Sequence, residues 1–401
     1  MWAIVILVVV ASLYLAYEYT THQRWLRAVP IRIHVNGTRG KSSVTRLIAA
    51  GLRASGLKVL AKTTGTLPMI IDEEGQDIAI PRSGQANIIE QRMFVREAAR
   101  RRVEAIVVEC MAINPELQFV EARQMIRPTI GVITNVRPDH LDVMGPTLKD
   151  VADSLANTIP EKSVLFTAET KMVHPLHARA SALATEVKVI GSEQISEGMM
   201  AGFRYREHME NVAIALTVCQ YLGINKQVAL NGMYACNPDP GVLQVHSITH
   251  SGKHIRFINA FAANDPLSTL RIWKRMKEGE EWNGRHIAVI NTRPDRVQRS
   301  QQFVELMLNG LDADLFVLIG GSANLVERAA VKRGLSKNRV VNLGQVGPGT
   351  AVERILNLTS ERSSLFCMGN IGGIGLELAN RLSKRADGGF DSAHHGLGAP
   401  H

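Results

Sequence analysis

The chain of 401 residues is poor in aromatic side chains, which make up 5% of it. Proteins that bind single-stranded nucleic acid stack bases on such rings. No RNP-like, zinc-finger or basic-zipper pattern is present either. A nucleic-acid partner is therefore not expected, although the net charge is +9 and the pI is near 9.5. Anionic lipid, an acidic substrate or product, and an ordinary basic surface remain as explanations of that excess. Cysteine is scarce too: the four are Cys110, Cys219, Cys236 and Cys367, and no two stand at metal-ligand spacing. This argues against a cysteine zinc site and for buried free thiols in a reducing compartment. Low-complexity segments and internal repeats are also missing, so a solenoid is not expected. With 45% hydrophobic and 21% charged residues, the chain suits two or three domains with cores of their own.

One long apolar run is present. Trp2 to Tyr17 carries no charge, and Glu18 ends it. As a helix it spans roughly 24 Å, against a hydrocarbon core of about 30 Å. Trp2, Tyr14, Tyr17 and Tyr19 are suited to the interfaces. A cleaved signal peptide needs a basic stretch before the run and a small-residue cleavage site after it, and neither is found. A buried core helix at a terminus has little to pack against. The reading is a single-span anchor over residues 1–20. Arg24, Arg27 and Arg32 follow it, which places the rest of the chain in the cytoplasm.

Ile31 to Val35 alternates apolar residues as a strand does. Asn36-Gly37-Thr38-Arg39-Gly40-Lys41-Ser42-Ser43 follows, and Val44 to Ala54 has helical spacing. Glycines let backbone N–H groups turn inward around phosphate oxygens, and the new helix presents its positive end to them. Lys41 adds a charge for the β- and γ-phosphates, and Ser42 offers a hydroxyl to Mg²⁺. The spacing is compact: the common P-loop would have glycine where Val35 stands.

Two further strand ends supply metal-type ligands. Ala105 to Val108 is a short apolar strand ending in Glu109. An acid at the carboxyl end of a neighbouring parallel strand is placed to hold a metal beside the phosphates. Thr129 to Ile133 is another strand, running into Thr134-Asn135-Val136-Arg137-Pro138-Asp139-His140-Leu141-Asp142. An imidazole beside two carboxylates is a metal-ligating arrangement.

In that order, G-T-R-G-K-S, the strand-end Glu109 and T-N-x-x-x-D-H-L-D resemble the Mur ligase and folylpolyglutamate synthetase superfamily. Lys62-Thr63-Thr64-Gly65-Thr66 is similar to its loop after the second strand. Glu207 to Ala213 resembles a degraded adenine-contacting motif with Asn211 in the contact position. Asn259 to Pro266 resembles the segment that opens the superfamily's C-terminal domain. Only about 30 residues precede the loop here, where the superfamily has a substrate domain. That arrangement looks like the ligase subunit of poly-γ-glutamate synthases. Where many members have a carbamylated lysine, this chain has Leu155-Ala156-Asn157.

The resemblance implies an α/β fold. A P-loop parallel-sheet central domain of Mur ligase type (30–245) is followed by a smaller Rossmann-like C-terminal domain (246–385); the Gly- and His-rich composition beyond it reads as a disordered tail (386–401). The resemblance implies ATP with Mg²⁺, or Mn²⁺, as cofactors. Lys41, Glu109 and His140 are expected to be catalytic. Gly37, Thr38, Arg39, Gly40, Lys41, Ser42, Ser43, Asn135, Asn211 and Asn259 are expected to bind nucleotide, and Ser42, Thr66, Glu109 and His140 the metal. Arg293 and Arg296 follow a strand and suit substrate carboxylates. Gly369 to Gly375 resembles a dinucleotide loop, but its irregular spacing favours a tight turn.

The function implied is ATP-dependent amide ligation of glutamate units through γ-carboxyl groups. The implied partners are glutamate and poly-γ-glutamate, other membrane subunits of a synthase or export complex, and further copies of the chain. A P-loop ATPase that powers export of an anionic polymer is the alternative.

Overall fold

Among the described residues, fourteen strands fall into two sheets of eight and six, one in each of two compact units, Met1–Asp239 and Pro240–His401. The computed structural model describes residues 2–65, 68–80, 86–203, 205, 207–238, 243–261, 266–278, 284–294 and 302–386. Thr66, Arg296 and all of the expected tail beyond Ala386 lie outside the described residues.

The first sheet contains β1 (Ile31–Asn36), β2 (Val59–Thr63), β3 (Met69–Ile71), β4 (Asp77–Ala79), β5 (Ala105–Glu109), β6 (Ile130–Ile133), β7 (Val164–Thr167) and β8 (Glu186–Val189). Its order is β4-β3-β2-β5-β1-β6-β7-β8. From β2 to β8 all neighbours are parallel, and β3 and β4 add an antiparallel edge. Parallel strands covered on both faces read as continuous apolar runs, and β5 is one. Its Ala105 and Val107 join a core with Val44, Leu47, Ile48 and Leu52 of the helix Lys41–Ala54. Ile106 and Val108 point the other way, onto Phe94, Val95 and Ala98 of the helix Ile89–Arg101. Each of the valine, leucine, isoleucine and phenylalanine side chains among them contributes roughly 1.5–3 kcal/mol by leaving water.

The N-terminal helix runs from Trp2 to Ala28, eight residues past the anchor expected to end at residue 20. Its last turns continue because they pack on the first unit. Leu26 is buried, His22 Nε2 lies 2.9 Å from the Met125 carbonyl, and Arg92 pairs with Glu18 at 3.2 Å. The Arg96 guanidinium sits 5.7 Å from the Trp25 ring centroid. The earlier turns are bare: Trp2 is 78% and Leu7 68% exposed. By length and composition this helix can cross a membrane.

The second unit holds β9 (Gln244–His250), β10 (Lys253–Asn259), β11 (Arg285–Thr292), β12 (Leu315–Gly320), β13 (Val340–Gly344) and β14 (Arg362–Gly369). The order is β13-β12-β11-β14-β10-β9, parallel except for β9. Helices Ala323–Lys332, Pro348–Asn357 and Ile374–Ser383 alternate with these strands. β9 pairs with β10 through Ser251 and Gly252, both at positive φ (51° and 76°), the conformation of a tight two-residue hairpin turn. Gln244 and Val245 therefore join the second sheet, and the division at Asp239–Pro240 falls a few residues before the expected residue 245.

Candidate active site at the carboxyl edge of the first sheet

In the first sheet β5 and β6 flank β1. Val35 stands opposite Glu109, and Asn36 opposite Ile133. Because these strands are parallel, the phosphate loop, Glu109 and the segment from Thr134 to His140 all leave the same edge. Ligands of open parallel sheets bind at such edges.

The loop closes against its neighbours. Gly37 has φ 130° and Gly40 φ 83°. A Cβ on Gly37 would fall 2.0 Å from Thr134 Oγ1, and one on Gly40 2.5 Å from Asn211 Oδ1. Both positions thus require glycine for conformation and for space. No side chain caps the helix that begins at Lys41. Its first N–H groups and its dipole favour an anion. Lys41 Nζ folds back onto the Gly37 carbonyl at 2.7 Å.

Behind the loop, Ser42 Oγ donates to Glu109 Oε2 at 2.9 Å, and the Thr64 N–H donates to the same oxygen at 2.8 Å. Glu109 is 2% exposed. Asn135 works as a clamp. Its Oδ1 accepts from Thr38 Oγ1 (2.8 Å) and the Arg39 N–H (3.1 Å), and its Nδ2 donates to the Arg39 carbonyl at 3.1 Å. Asn211 packs over Gly40 and donates to Glu207 Oε1 at 2.8 Å. Burial pushes the Glu207 carboxyl above the usual range, against bonds from the His208 N–H, Asn211 and Ser43 that favour its charged form.

His140 is tied to the loop indirectly. Arg39 Nη1 pairs with Asp139 at 2.7 Å, and His140 Nε2 lies 3.9 Å from the other Asp139 oxygen. His140 adopts φ 44°, and its side chain is 48% exposed. Asn259 and Arg293 belong to the second unit. Asn259 ends β10 with a buried Oδ1 that has no partner among the described residues. Arg293 lies against Gly372, where a Cβ would come within 2.6 Å of its Nη1. The turn from Gly369 to Gly375 is held by Asn291 Nδ2, which donates to the carbonyls of Asn370 and Gly372.

Sequence reasoning missed a buried hub beneath Glu109. The Glu121 carboxylate accepts from Gln91 Nε2 (2.7 Å), the Met111 N–H (3.1 Å) and the Ala112 N–H (3.1 Å), with His34 Nε2 at 3.1 Å. Gln91 also donates to the Glu109 carbonyl at 3.1 Å and accepts from Lys62 Nζ at 3.0 Å. Burial works to raise the Glu121 carboxyl, yet the bond and charge of His34, then Gln91 and the Met111 N–H, leave it below the usual range. His34, Cys110 and Glu121 offer ligand atoms within 4.8 Å of one another. Both Glu121 oxygens are already engaged by amide donors, so the cluster is a hydrogen-bonded hub holding the segment after β5. The sequence signal was His34 itself, a histidine between the apolar Ile33 and Val35 of β1. Glu169 was missed too: it is fully buried, and it holds the Val136 N–H at 2.7 Å and Arg137 at 2.8 Å.

A compact phosphate loop in the first βα turn, an acid on the adjoining strand and a second Rossmann-like unit define the architecture of Mur-type ligases. The Mur ligase middle domain matches residues 35–237, and the poly-gamma-glutamate synthase CapB C-terminal domain matches residues 245–385. The chain belongs to the CapB family of poly-gamma-glutamate synthases. It is 34% identical to PGA synthase CapB of Bacillus subtilis, over 95% of this chain and 98% of that protein. It is 36% identical to capsule biosynthesis protein CapB of Bacillus anthracis, over 94% of this chain and 81% of that protein. Among solved structures, the bifunctional folylpolyglutamate synthase/dihydrofolate synthase of Yersinia pestis, complexed with AMPPNP and Mn ion, shares the fold. The TM-score is 0.58 at 14% identity, with 92% of each chain covered.

Proposed function

We propose that this chain is an ATP-dependent acid–amino acid ligase that joins glutamate units through γ-carboxyl groups. The observation that carries the reading is the Ser42–Glu109 pair behind the Lys41 loop, in a chain of this family. The donor set fits a hard divalent ion: a hydroxyl and a carboxylate 2.9 Å apart, at the foot of the glycine-bearing loop. Ser42 and Glu109, with His140 and Thr66 as further ligands, would hold Mg²⁺ or Mn²⁺, which would supply neutralisation of phosphate charge. The structural relative crystallised with AMPPNP and Mn ion supports that choice.

The chain's own residues then do the positioning. The loop N–H groups and the start of the helix at Lys41 bind the triphosphate. Lys41 Nζ exchanges the Gly37 carbonyl for phosphate oxygens and neutralises charge as the phosphoryl group moves. Asn135 and Asn211 fix the loop, and Asn211 is assigned to the adenine. A γ-carboxylate oxygen attacks the γ-phosphorus, giving an acyl phosphate and ADP. The amino group of the next glutamate attacks the acyl carbon, and phosphate leaves with the carboxylate oxygen. No side chain serves as nucleophile. Asn259, Arg293 and Arg296, in the second unit, are assigned to nucleotide and substrate carboxylates.

The N-terminal helix is a single-pass anchor with both units in the cytoplasm. The anchor positions the enzyme beside other membrane subunits that complete a synthase, and further copies of the chain assemble with it. The test is phosphate release by the membrane-bound full chain with ATP and Mg²⁺, with and without glutamate. Release that needs glutamate and accompanies polymer supports the ligase. Equal release in both supports an export ATPase.

A further inference from the structure

At the opposite edge of the first sheet lies a groove of about 1230 Å³ that the proposed chemistry does not use. Its floor is set by Arg32 at the start of β1, Thr129 just before β6 and Ser163 just before β7. Its wall is the last part of the N-terminal helix, from Leu15 to Arg27. The six residues of β1 separate it from the phosphate loop by about 20 Å.

The groove is cationic beyond its own acids. Glu18 and Glu161 line it, and each is paired, with Arg92 and Arg123 respectively. Arg27, Arg32, Arg127 and Lys162 also line it and have no carboxylate partner among the described residues. Arg32 donates only to main-chain carbonyls, those of Leu26, Val29, Ile126 and Arg127. Arg127 donates to the neutral Gln23 at 2.6 Å. Burial, and then the charge of Arg127, lower the affinity of the Arg32 guanidinium for its proton. Cations packed this closely favour an anion between them. Leu15, Tyr19 and Phe119 add apolar lining, and Leu15 continues directly from the bare apolar turns of the helix.

We propose that this groove binds the headgroup of an anionic phospholipid from the leaflet in which the N-terminal helix ends. The inference rests on the anchor reading. Phosphate and cations would pair at Arg127 and Lys162, while the upper acyl carbons meet Leu15, Tyr19 and Phe119. The polymer is the less suited anion, because it forms at the other edge of the sheet and has no use for an apolar lining.

The test uses the full chain, purified in neutral detergent and given equal amounts of dioleoylphosphatidylglycerol and dioleoylphosphatidylcholine. Native mass spectrometry then counts each lipid retained. The wild type is expected to retain phosphatidylglycerol several-fold over phosphatidylcholine. Arg127→Ala and Lys162→Ala, both at exposed positions, should each lower that preference about fivefold and leave glutamate-dependent phosphate release in detergent unchanged. Equal retention of the two lipids, or an unchanged preference in the double variant, overturns the proposal. So does displacement of phosphatidylglycerol by added poly-γ-glutamate, which would assign the groove to the polymer. Alkaline carbonate extraction of membranes separates the two readings. Release of the chain into the supernatant removes the anchor itself, whereas retention with no lipid preference removes only the groove.

Discussion

Ser42 Oγ, one residue past the lysine of the phosphate loop and in the first turn of the helix that follows β1, meets Oε2 of Glu109, the last residue of the neighbouring parallel strand β5, at 2.9 Å. The contact joins the two halves of the proposed metal site: the hydroxyl in the first turn of the helix and the acid that closes β5. Either half alone is weak, and their separation is what gives the edge its chemistry.

Glu109→Gln keeps the size of the side chain and its bond from the Thr64 N–H but removes the charge. The Mg²⁺ concentration for half-maximal turnover should rise about 10- to 100-fold. Ser42→Ala should shift it in the same direction. Titration of activity against Mg²⁺ at saturating ATP reads the effect, and an unmoved midpoint in both variants would remove these residues from the metal site.

Lys41→Ala removes the loop cation whose Nζ rests on the Gly37 carbonyl. Loss of transition-state charge stabilisation on this scale costs about 10²–10³ in turnover. Circular dichroism and thermal melting should be unchanged, because Lys41 is half-exposed and holds no core contact.

Gly40→Ala places a Cβ 2.5 Å from Asn211 Oδ1 at φ 83°. The left-handed backbone alone costs about 1–2 kcal/mol for an L-residue. The variant should bind ATP more weakly, seen as a raised KM for ATP. Adding Asn211→Ala relieves the contact but not the backbone strain, so the double variant should recover only part of the loss.

These residues differ in how legible they were from the sequence. Glycines, a lysine and strand-end acids announce themselves because the chemistry demands their types at fixed places in a βα turn. The parallel strands were legible as apolar runs. β9 was not, because Gln244, His246, Ser247 and Thr249 make it half polar, as an edge strand permits. The continuation of the N-terminal helix beyond its apolar run was not legible, because its last turns are held by Leu26, His22 and Trp25 against partners some 65 to 100 residues away. Glu121 reads locally as the wet face of a helix. Its burial follows only from the approach of β1, Gln91 and the segment after β5, which no local pattern encodes.

The hub gives a pH prediction. The folded state holds the Glu121 carboxyl below its usual range. The stability this contributes is fully present above the unfolded value of about 4.3 and is lost as pH falls through the lower folded value. Glu169 is shifted the same way: burial opposes the shift, and the N–H groups of Met172, Val136 and Lys171 and the charge of Arg137 outweigh it. The melting temperature should therefore fall steeply as the pH drops below about 4.3. Glu121→Gln should cost about 3 kcal/mol at neutral pH and make that acid limb shallower. A variant with wild-type stability at pH 7 would contradict the role given to the hub.

The most direct measurement follows an oxygen atom. Glutamate carrying ¹⁸O in its γ-carboxylate is supplied with ATP and Mg²⁺ to the membrane-bound full chain, and the released phosphate is analysed by mass spectrometry. Ligation through an acyl phosphate transfers one ¹⁸O to each phosphate released. Phosphate whose new oxygen comes only from solvent water would contradict the ligase mechanism and leave an ATPase in its place.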